Sequence, residues 1–125
     1  MFGFSNRTAV QIRNGKWKEF NKHAILIAEG YYLNNKKHGI WREYYDHDGS
    51  LMIKEVYSHG ISHGSFASYH PNGQLLSSGE FKNGSREGIF KVYDENGTNI
   101  RNIVFFRDQE MEEIVQPESF AGSAI

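Results

Sequence analysis

Aromatic residues recur along the chain in pairs with two residues between them, and each pair follows a glycine. The pairs are Trp17/Phe20, Trp41/Tyr44, Phe66/Tyr69 and Phe90/Tyr93. The preceding glycines lie 24, 25 and 24 residues apart, at Gly15, Gly39, Gly64 and Gly88. A fixed period of this length predicts a repeat protein in which each unit is one supersecondary element.

The second half of each unit repeats as well. Gly49, Gly73 and Gly97 lie 24 residues apart, and an aromatic residue follows each of them eight positions later. Asn-Gly at 72–73 and at 96–97 supplies the positive φ that a tight hairpin needs, and the flanking runs are rich in aromatic and β-branched residues. Each unit is therefore predicted to be a β-hairpin, with tips at about 21–24, 45–49, 70–73 and 94–97.

These hairpins predict an all-β fold. The links between units are short and polar, so we expect one elongated antiparallel meander of about four hairpin repeats over 14–107. Segment 1–13 comes before the array and includes a leading strand at 9–13.

Segment 108–125 is predicted to be an acidic cap with a flexible tail. Met111, Ile114 and Val115 have the spacing of a helix face, and Pro117 would end a helix. We expect a short C-terminal helix or cap here, with one more strand as the alternative.

The residues of the repeat carry a resemblance to a known family. Their sequence pattern is (Asn/Gly)-x-x-(His/Glu)-Gly-x-(Trp/Phe)-x-x-Tyr, followed by Asn-Gly and then by (Tyr/Phe)-x-x-Gly. The match to this pattern is strongest over 38–107. This form resembles the MORN-repeat variant of bacterial proteins that are often described as antitoxin components of toxin–antitoxin systems. The resemblance implies a hairpin array used as a binding surface, an antitoxin or immunity-type role, and no catalytic motif. The first unit departs from the form, with Ala24 and Asn35 at glycine positions, as terminal repeats commonly do.

Composition excludes several classes of protein. The 125 residues include 14 basic and 15 acidic ones, a balance that argues against nucleic acid as a partner. The mean hydropathy is −0.62 and no apolar run is long enough for a transmembrane helix. There is no cysteine, so thiolate chemistry and disulfides are excluded. The first residues lack the features of a secretory signal, and we expect a cytoplasmic location.

Charge is divided unevenly along the chain. Up to residue 107 there are 14 basic and 10 acidic residues, a difference of +4, and from 108 onward there are five acidic residues and none basic. The simpler interpretation is an acidic end that keeps the protein soluble. The alternative is a tail that covers a mildly basic sheet until a partner displaces it.

No residue pattern predicts catalysis, a metal or a cofactor. His38 and His63 share one repeat position, and equivalent positions two strands apart are separated by ~10 Å, too far for an easy shared zinc site. Asp46-His47-Asp48 lacks the other ligands of a calcium loop and is interpreted as a solvated turn. Nucleophile, phosphate-loop and dinucleotide motifs are missing. We therefore predict that the protein is not an enzyme.

The aromatic columns supply the candidate site. Residues i and i+3 of a regular strand point to opposite faces, so unless a β-bulge intervenes one column lies in the core and the other lines the exposed face. We predict that Trp41 and Phe66 are buried. The predicted function is a non-catalytic protein–protein interaction module, and its candidate contacts are Tyr44, Tyr69 and Tyr93.

Two alternatives remain open. The first is binding to an anionic membrane surface, which requires basic residues clustered on one side; its candidates are Lys36, Lys37, Lys82 and Arg86. The second is a structural repeat that associates with itself as a homo-oligomer. Salt-sensitive liposome binding would favour the membrane alternative, whereas co-purification with one protein would favour the protein-binding module.

Overall fold

The computed structural model describes residues 12–114, which form a single antiparallel sheet. Its strands are β1 Gly15–Phe20, β2 Leu26–Leu33, β3 Lys36–Lys37, β4 Gly39–Tyr44, β5 Leu51–Ser58, β6 Ile61–Tyr69, β7 Leu75–Lys82, β8 Ser85–Tyr93, β9 Asn99–Phe106 and β10 Gln109–Ile114. They pair in chain order, except that β3 pairs only with β2. The predicted all-β meander of hairpins is confirmed. Over the same range there is no helix long and apolar enough to cross a membrane.

The hairpin tips fall where the repeat places them. Strands are interrupted at 21–25, 45–50, 70–74 and 94–98. Gly73 and Gly97 have φ of +92° and +89°, as expected for glycines that follow asparagine in a short turn. The backbone N–H of His70 donates across its tip to the Gln74 carbonyl at 2.8 Å. The turns along this side are thus closed by their own backbone.

The turns along the other side are closed by the residue before each repeat glycine. Its side chain accepts a hydrogen bond from a backbone N–H of the neighbouring turn, and the donor residue has positive φ in each case. Named with the backbone donor first and the side-chain acceptor second, the pairs are Asn34 to Asn14, His59 to His38, Asn83 to His63 and Arg107 to Glu87. Their donor–acceptor distances are 2.8, 3.2, 3.1 and 3.2 Å. Both repeat histidines are turn acceptors through Nδ1, which agrees with their interpretation as turn residues.

Strand register sorts the side chains onto two faces. The aromatic face carries Trp17, Trp41, Phe66 and Phe90 together with Tyr32, Tyr57, Phe81 and Phe105. The opposite face is marked by a cross-strand row of Lys18, Glu29, Arg42, Lys54, Ala67, Ser78, Lys91 and Asn102. Elements make extensive contacts only with their sheet neighbours. The described chain is therefore one layer of sheet, and its core lies within the aromatic face.

Packing on the aromatic face relies on close approach of rings to glycine. Trp41 and Phe90 are 4% and 7% exposed, and Phe66 is half-buried. A Cβ on Gly30 would come within 2.2 Å of the Trp41 ring, and one on Gly79 within 2.5 Å of the Phe90 ring. The expected burial of Trp41 is confirmed, and it depends on the missing side chain at Gly30 on the neighbouring strand, whereas Phe66 was also expected to be buried and is only half-buried.

The expected C-terminal helix is wrong for residues 109–114, which form β10 against β9. The register runs from Gln109 opposite Phe106 to Ile114 opposite Asn102, with an irregularity at Met111. A helix this short is marginal in water, whereas a tenth strand satisfies the free backbone groups at the edge of β9.

Two other expectations for the ends fall partly outside the described residues. Of the leading strand predicted at 9–13, residues 9–11 lie outside the described range, and residues 12–13 form no strand. Val115 and Pro117, which belonged to the helix prediction, also lie outside it.

Candidate binding surface

The three candidate tyrosines form one row on the opposite face. Tyr44, Tyr69 and Tyr93 are the last residues of β4, β6 and β8, and each is half-buried. The strand register shifts between Glu43 and Tyr44, and the contact of the Tyr44 hydroxyl with Glu29, a member of the cross-strand row, places Tyr44 on the opposite face. The structure thus brings together the three tyrosines at equivalent positions in successive units.

Tyr44 is held in place by a carboxylate. Its hydroxyl donates to the Glu29 carboxylate, and Glu29 is the direct cross-strand partner of both Lys18 and Arg42. Burial first, and then the hydrogen bond to Glu29, raise the pKa of Tyr44 to about 12. The tyrosine therefore remains a protonated donor at neutral pH, and its ring is oriented before any partner arrives.

Hydrogen bonds between units fix the other two tyrosine positions. The Tyr45 hydroxyl donates to the Tyr69 carbonyl at 2.5 Å. His70 Nε2 lies 2.8 Å from the Tyr93 carbonyl oxygen, so it donates there as the Nε2–H tautomer. The backbone under the tyrosine row is thus tied to the neighbouring hairpin.

Apolar and basic side chains surround the tyrosine row. The cross-strand row contains four basic residues and one acidic residue. Two positions along the strands from this row, the same face exposes Tyr31 at 44%, Ile40 at 45% and Ile89 at 48%. The opposite face therefore combines apolar contact area with an excess of positive charge.

Two of the four candidate basic residues lie on the aromatic face. Lys37 Nζ is 4.8 Å from the ring centroid of Trp41 and 5.2 Å from that of Tyr57. Arg86 Cζ lies 4.2 Å from the Phe105 ring centroid, and its Nε donates to Asp108 Oδ1 at 2.6 Å. Their charges are engaged by rings and, for Arg86, by a carboxylate of the chain itself.

The other two candidate basic residues belong to the other face. Lys36 precedes Lys37 and Lys82 follows Phe81, so alternation along the strand directs both away from the aromatic face. The four cations are therefore divided between the two faces. An open groove of about 600 Å³ near the first inter-unit turn does gather three cations, Arg13, Lys36 and Lys37.

Sequence reasoning missed the cation column to which Lys37 and Arg86 belong. Two residues before each repeat glycine stand Arg13, Lys37, Ser62 and Arg86. Arg13 Cζ lies 4.3 Å from the Trp17 ring centroid and 5.3 Å from that of Tyr32. The 24- to 25-residue period could have revealed this column, because its members share one place in the repeat.

The remaining candidate chemistry is confined to turns. Among residues 12–114, three or more histidine and carboxylate side chains nowhere gather in a way that could hold a metal ion. Asp48 Oδ1 accepts hydrogen bonds from the backbone N–H and the hydroxyl of Ser50 at 2.9 and 2.8 Å, and these bonds lower the pKa of Asp48. His47 Nε2 lies 3.6 Å from Asp48 Oδ2 on an exposed tip. This arrangement is a solvated turn.

Comparison with known proteins identifies the repeat. A family model described as the MORN repeat variant matches residues 62–83 and 86–98, which cover β6 to β8 and the following tip. No curated protein matches the chain. These matched residues are therefore repeats of the MORN variant type, which confirms the resemblance seen in the sequence. MORN repeats are non-catalytic repeat modules that generally act in binding.

Proposed function

We propose that this protein is a non-catalytic module that binds a protein partner on the opposite face, with the contact centred on Tyr44 and Tyr69. The observation that carries the proposal is the tyrosine row itself. Tyr44, Tyr69 and Tyr93 lie in line on a sheet face that no second layer covers within residues 12–114.

The chemistry of this face suits a protein surface. Equivalent residues of successive hairpins repeat at ~10 Å, which gives an extended ladder and not an enclosed cavity. Tyrosine offers large contact area at small entropy cost, and central aromatic residues are the usual hot spots of interfaces. The excess of basic residues in the cross-strand row favours a partner whose docking surface is acidic.

The finer form of the proposal names the kind of partner. An antitoxin or immunity-type protein binds one cognate toxin tightly, and the family resemblance supports this role. The site of action under this proposal is the cytoplasm. Co-expression with the product of a neighbouring gene, followed by co-purification, tests this form directly.

The experiment is a binding titration with a partner obtained by pull-down from the native organism. Replacing Tyr44 and Tyr69 together by alanine is expected to weaken binding by at least ~2 kcal/mol, about 30-fold. His47→Ala, which truncates an exposed side chain at a hairpin tip, serves as the control and should leave affinity unchanged. Circular dichroism confirms that both variants are folded. Equal affinity of the folded tyrosine variant and wild type would reject the proposal.

A second candidate function has one observation in its favour. The groove lined by Arg13, Lys36 and Lys37 could bind the headgroups of an anionic membrane. Liposome binding that falls with salt and is lost in the Lys36→Ala/Lys37→Ala variant would support it. Self-association is the third candidate, and a concentration-dependent mass in analytical ultracentrifugation would support that one.

A further inference from the structure

Two columns of the aromatic face each have one exceptional member, and these two residues are neighbours on β5 and β6. One column, in the strands that follow the hairpin tips, has a 24- to 25-residue period and consists of Gly30, Glu55, Gly79 and Ile103. The other is the cation column of Arg13, Lys37, Ser62 and Arg86. In the first column the exception is the carboxylate of Glu55. It lies beside Ser62, the one position of the second column that has no cation.

Glu55 lies among aromatic rings. Its direct cross-strand partners are Trp41 on β4 and Phe66 on β6. Its Oε1 accepts a hydrogen bond from the Tyr57 hydroxyl at 3.0 Å, and its Oε2 accepts one from the Ser62 hydroxyl at 3.0 Å. Burial and the charge of Glu55 raise the pKa of Tyr57 to about 12, so the phenol remains a donor.

Within residues 12–114, Glu55 forms no ion pair. The carboxylate is half-buried, and from the described residues each of its oxygens accepts one of the two hydrogen bonds that it can take. A partly desolvated anion beside ring faces is a favourable place for a cation.

In the other units the chain itself supplies that cation. Arg13 and Arg86 lie 4.3 and 4.2 Å from the ring centroids of Trp17 and Phe105, and Lys37 lies 4.8 Å from that of Trp41. In the third unit the matching rings are Phe66 and Phe81, which meet edge to face at 5.6 Å. Both are half-buried, and Ser62 is too short to cover them.

We propose that the position over Phe66 and Phe81, beside Glu55, binds an arginine side chain of a partner protein. The guanidinium would stack on a ring face, as Arg13 and Arg86 do in their own units, and donate to the open lone pairs of Glu55. Arginine fits better than lysine because its planar fork satisfies a carboxylate and a ring together. This site lies on the aromatic face and does not depend on the tyrosine row.

The test is an NMR titration of the full chain with N-acetyl-arginine amide, followed on the ring resonances of Tyr57, Phe66 and Phe81. Saturable shifts are expected, with binding at least tenfold weaker for the neutral analogue N-acetyl-citrulline amide. Glu55→Gln should weaken arginine binding at least tenfold, whereas Glu80→Gln on the opposite face should leave it unchanged. Equal binding of arginine and citrulline, or no effect of Glu55→Gln, would overturn the proposal.

A second variant covers the case in which Glu55→Gln fails to fold. Ser62→Arg restores the repeat cation, which should occupy the site from within and abolish the arginine-induced shifts. Retention of those shifts in a folded Ser62→Arg protein would overturn the proposal. The Tyr44→Ala/Tyr69→Ala variant should bind the arginine probe as wild type does, so failure of the tyrosine-row proposal can be told apart from failure of this one.

Discussion

The two halves of the aromatic face bury their rings by different chemistry. The second half holds the apolar core, in which Phe90, Ile103 and Phe105 are buried with Phe66 and Phe81 packed against them. In the first half the rings carry polar contacts.

Trp41 illustrates the chemistry of the first half. Its Nε1 donates to the Tyr31 carbonyl at 3.0 Å, and Lys37 lies over its ring. Arg13 covers Trp17 in the same way. A one-layer sheet has no second layer to cover its rings, so each half covers them with what its own repeats supply. In the second half these are phenyl groups, with Arg86 over Phe105, and in the first half they are long cations.

Ion pairs lie at the β10 end of the array. At the β10 end, Glu113 accepts two hydrogen bonds from Arg101, at 3.1 and 3.2 Å, and Asp108 pairs with Arg86. These pairs make the end of the array polar, which the exposed ends of repeat arrays require for solubility. The described part of the acidic segment, residues 108–114, therefore extends the sheet and does not cover the opposite face.

The largest expected effect comes from removing a ring from the second half. Phe90→Ala should destabilise the fold by about 3 kcal/mol, because the ring is 7% exposed and lies in the only cluster of buried residues found in the described range. Trp17→Ala, at a half-buried ring on the edge strand, should cost about 1–2 kcal/mol. Urea unfolding measures both. Equal losses would show that the two halves contribute alike.

A smaller effect is expected where rings lie against glycine. Gly30→Ala and Gly79→Ala should each cost about 1–3 kcal/mol, because the new methyl group would overlap Trp41 or Phe90. Gly73→Ala is the control. A Cβ at residue 73 meets nothing within 4 Å, so the only expected strain comes from the φ of +92°. This strain should lower the free energy of unfolding by about 1 kcal/mol. If the three thermal shifts were the same, ring packing over glycine would not be the cause.

The smallest effect concerns the ion pair at the β10 end. The Arg86 guanidinium beside Asp108 lowers the pKa of that carboxyl. Because the folded-state pKa lies below the unfolded value of about 3.9, ionised Asp108 stabilises the fold above that pH. The contribution is lost as the pH falls through the lowered folded value. Asp108→Asn should therefore flatten the loss of stability below about pH 4, as measured by urea unfolding at a series of pH values. Profiles of the same steepness for variant and wild type would contradict this.

Much of the fold was predictable because the repeat signal is local. The spacing of the tip glycines predicted the hairpins, and the i, i+3 spacing of Trp41 and Tyr44 predicted opposite faces, which the contact of the Tyr44 hydroxyl with Glu29 supports. The spacing of Met111 and Ile114 predicted a helix, but the segment forms β10. Its conformation is determined by the free edge of β9, which is a tertiary feature that local spacing does not report.

The candidate sites were predictable in part. The tyrosine row followed from the repeat, because the three tyrosines occupy one position in successive units. Glu55 was not found, because its significance depends on which residues lie across from it. Only the strand register shows that it lies between Trp41 and Phe66 beside an unoccupied place in the cation column.

The most direct test of the account compares tyrosines on the two faces of one molecule. Hydroxyl-radical footprinting of the complex with the partner, read by mass spectrometry, reports the exposure of each ring. The account predicts that binding protects Tyr44, Tyr69 and Tyr93 and leaves Tyr32, on the aromatic face, as reactive as in the free protein. Protection of Tyr32 with an unprotected tyrosine row would contradict it.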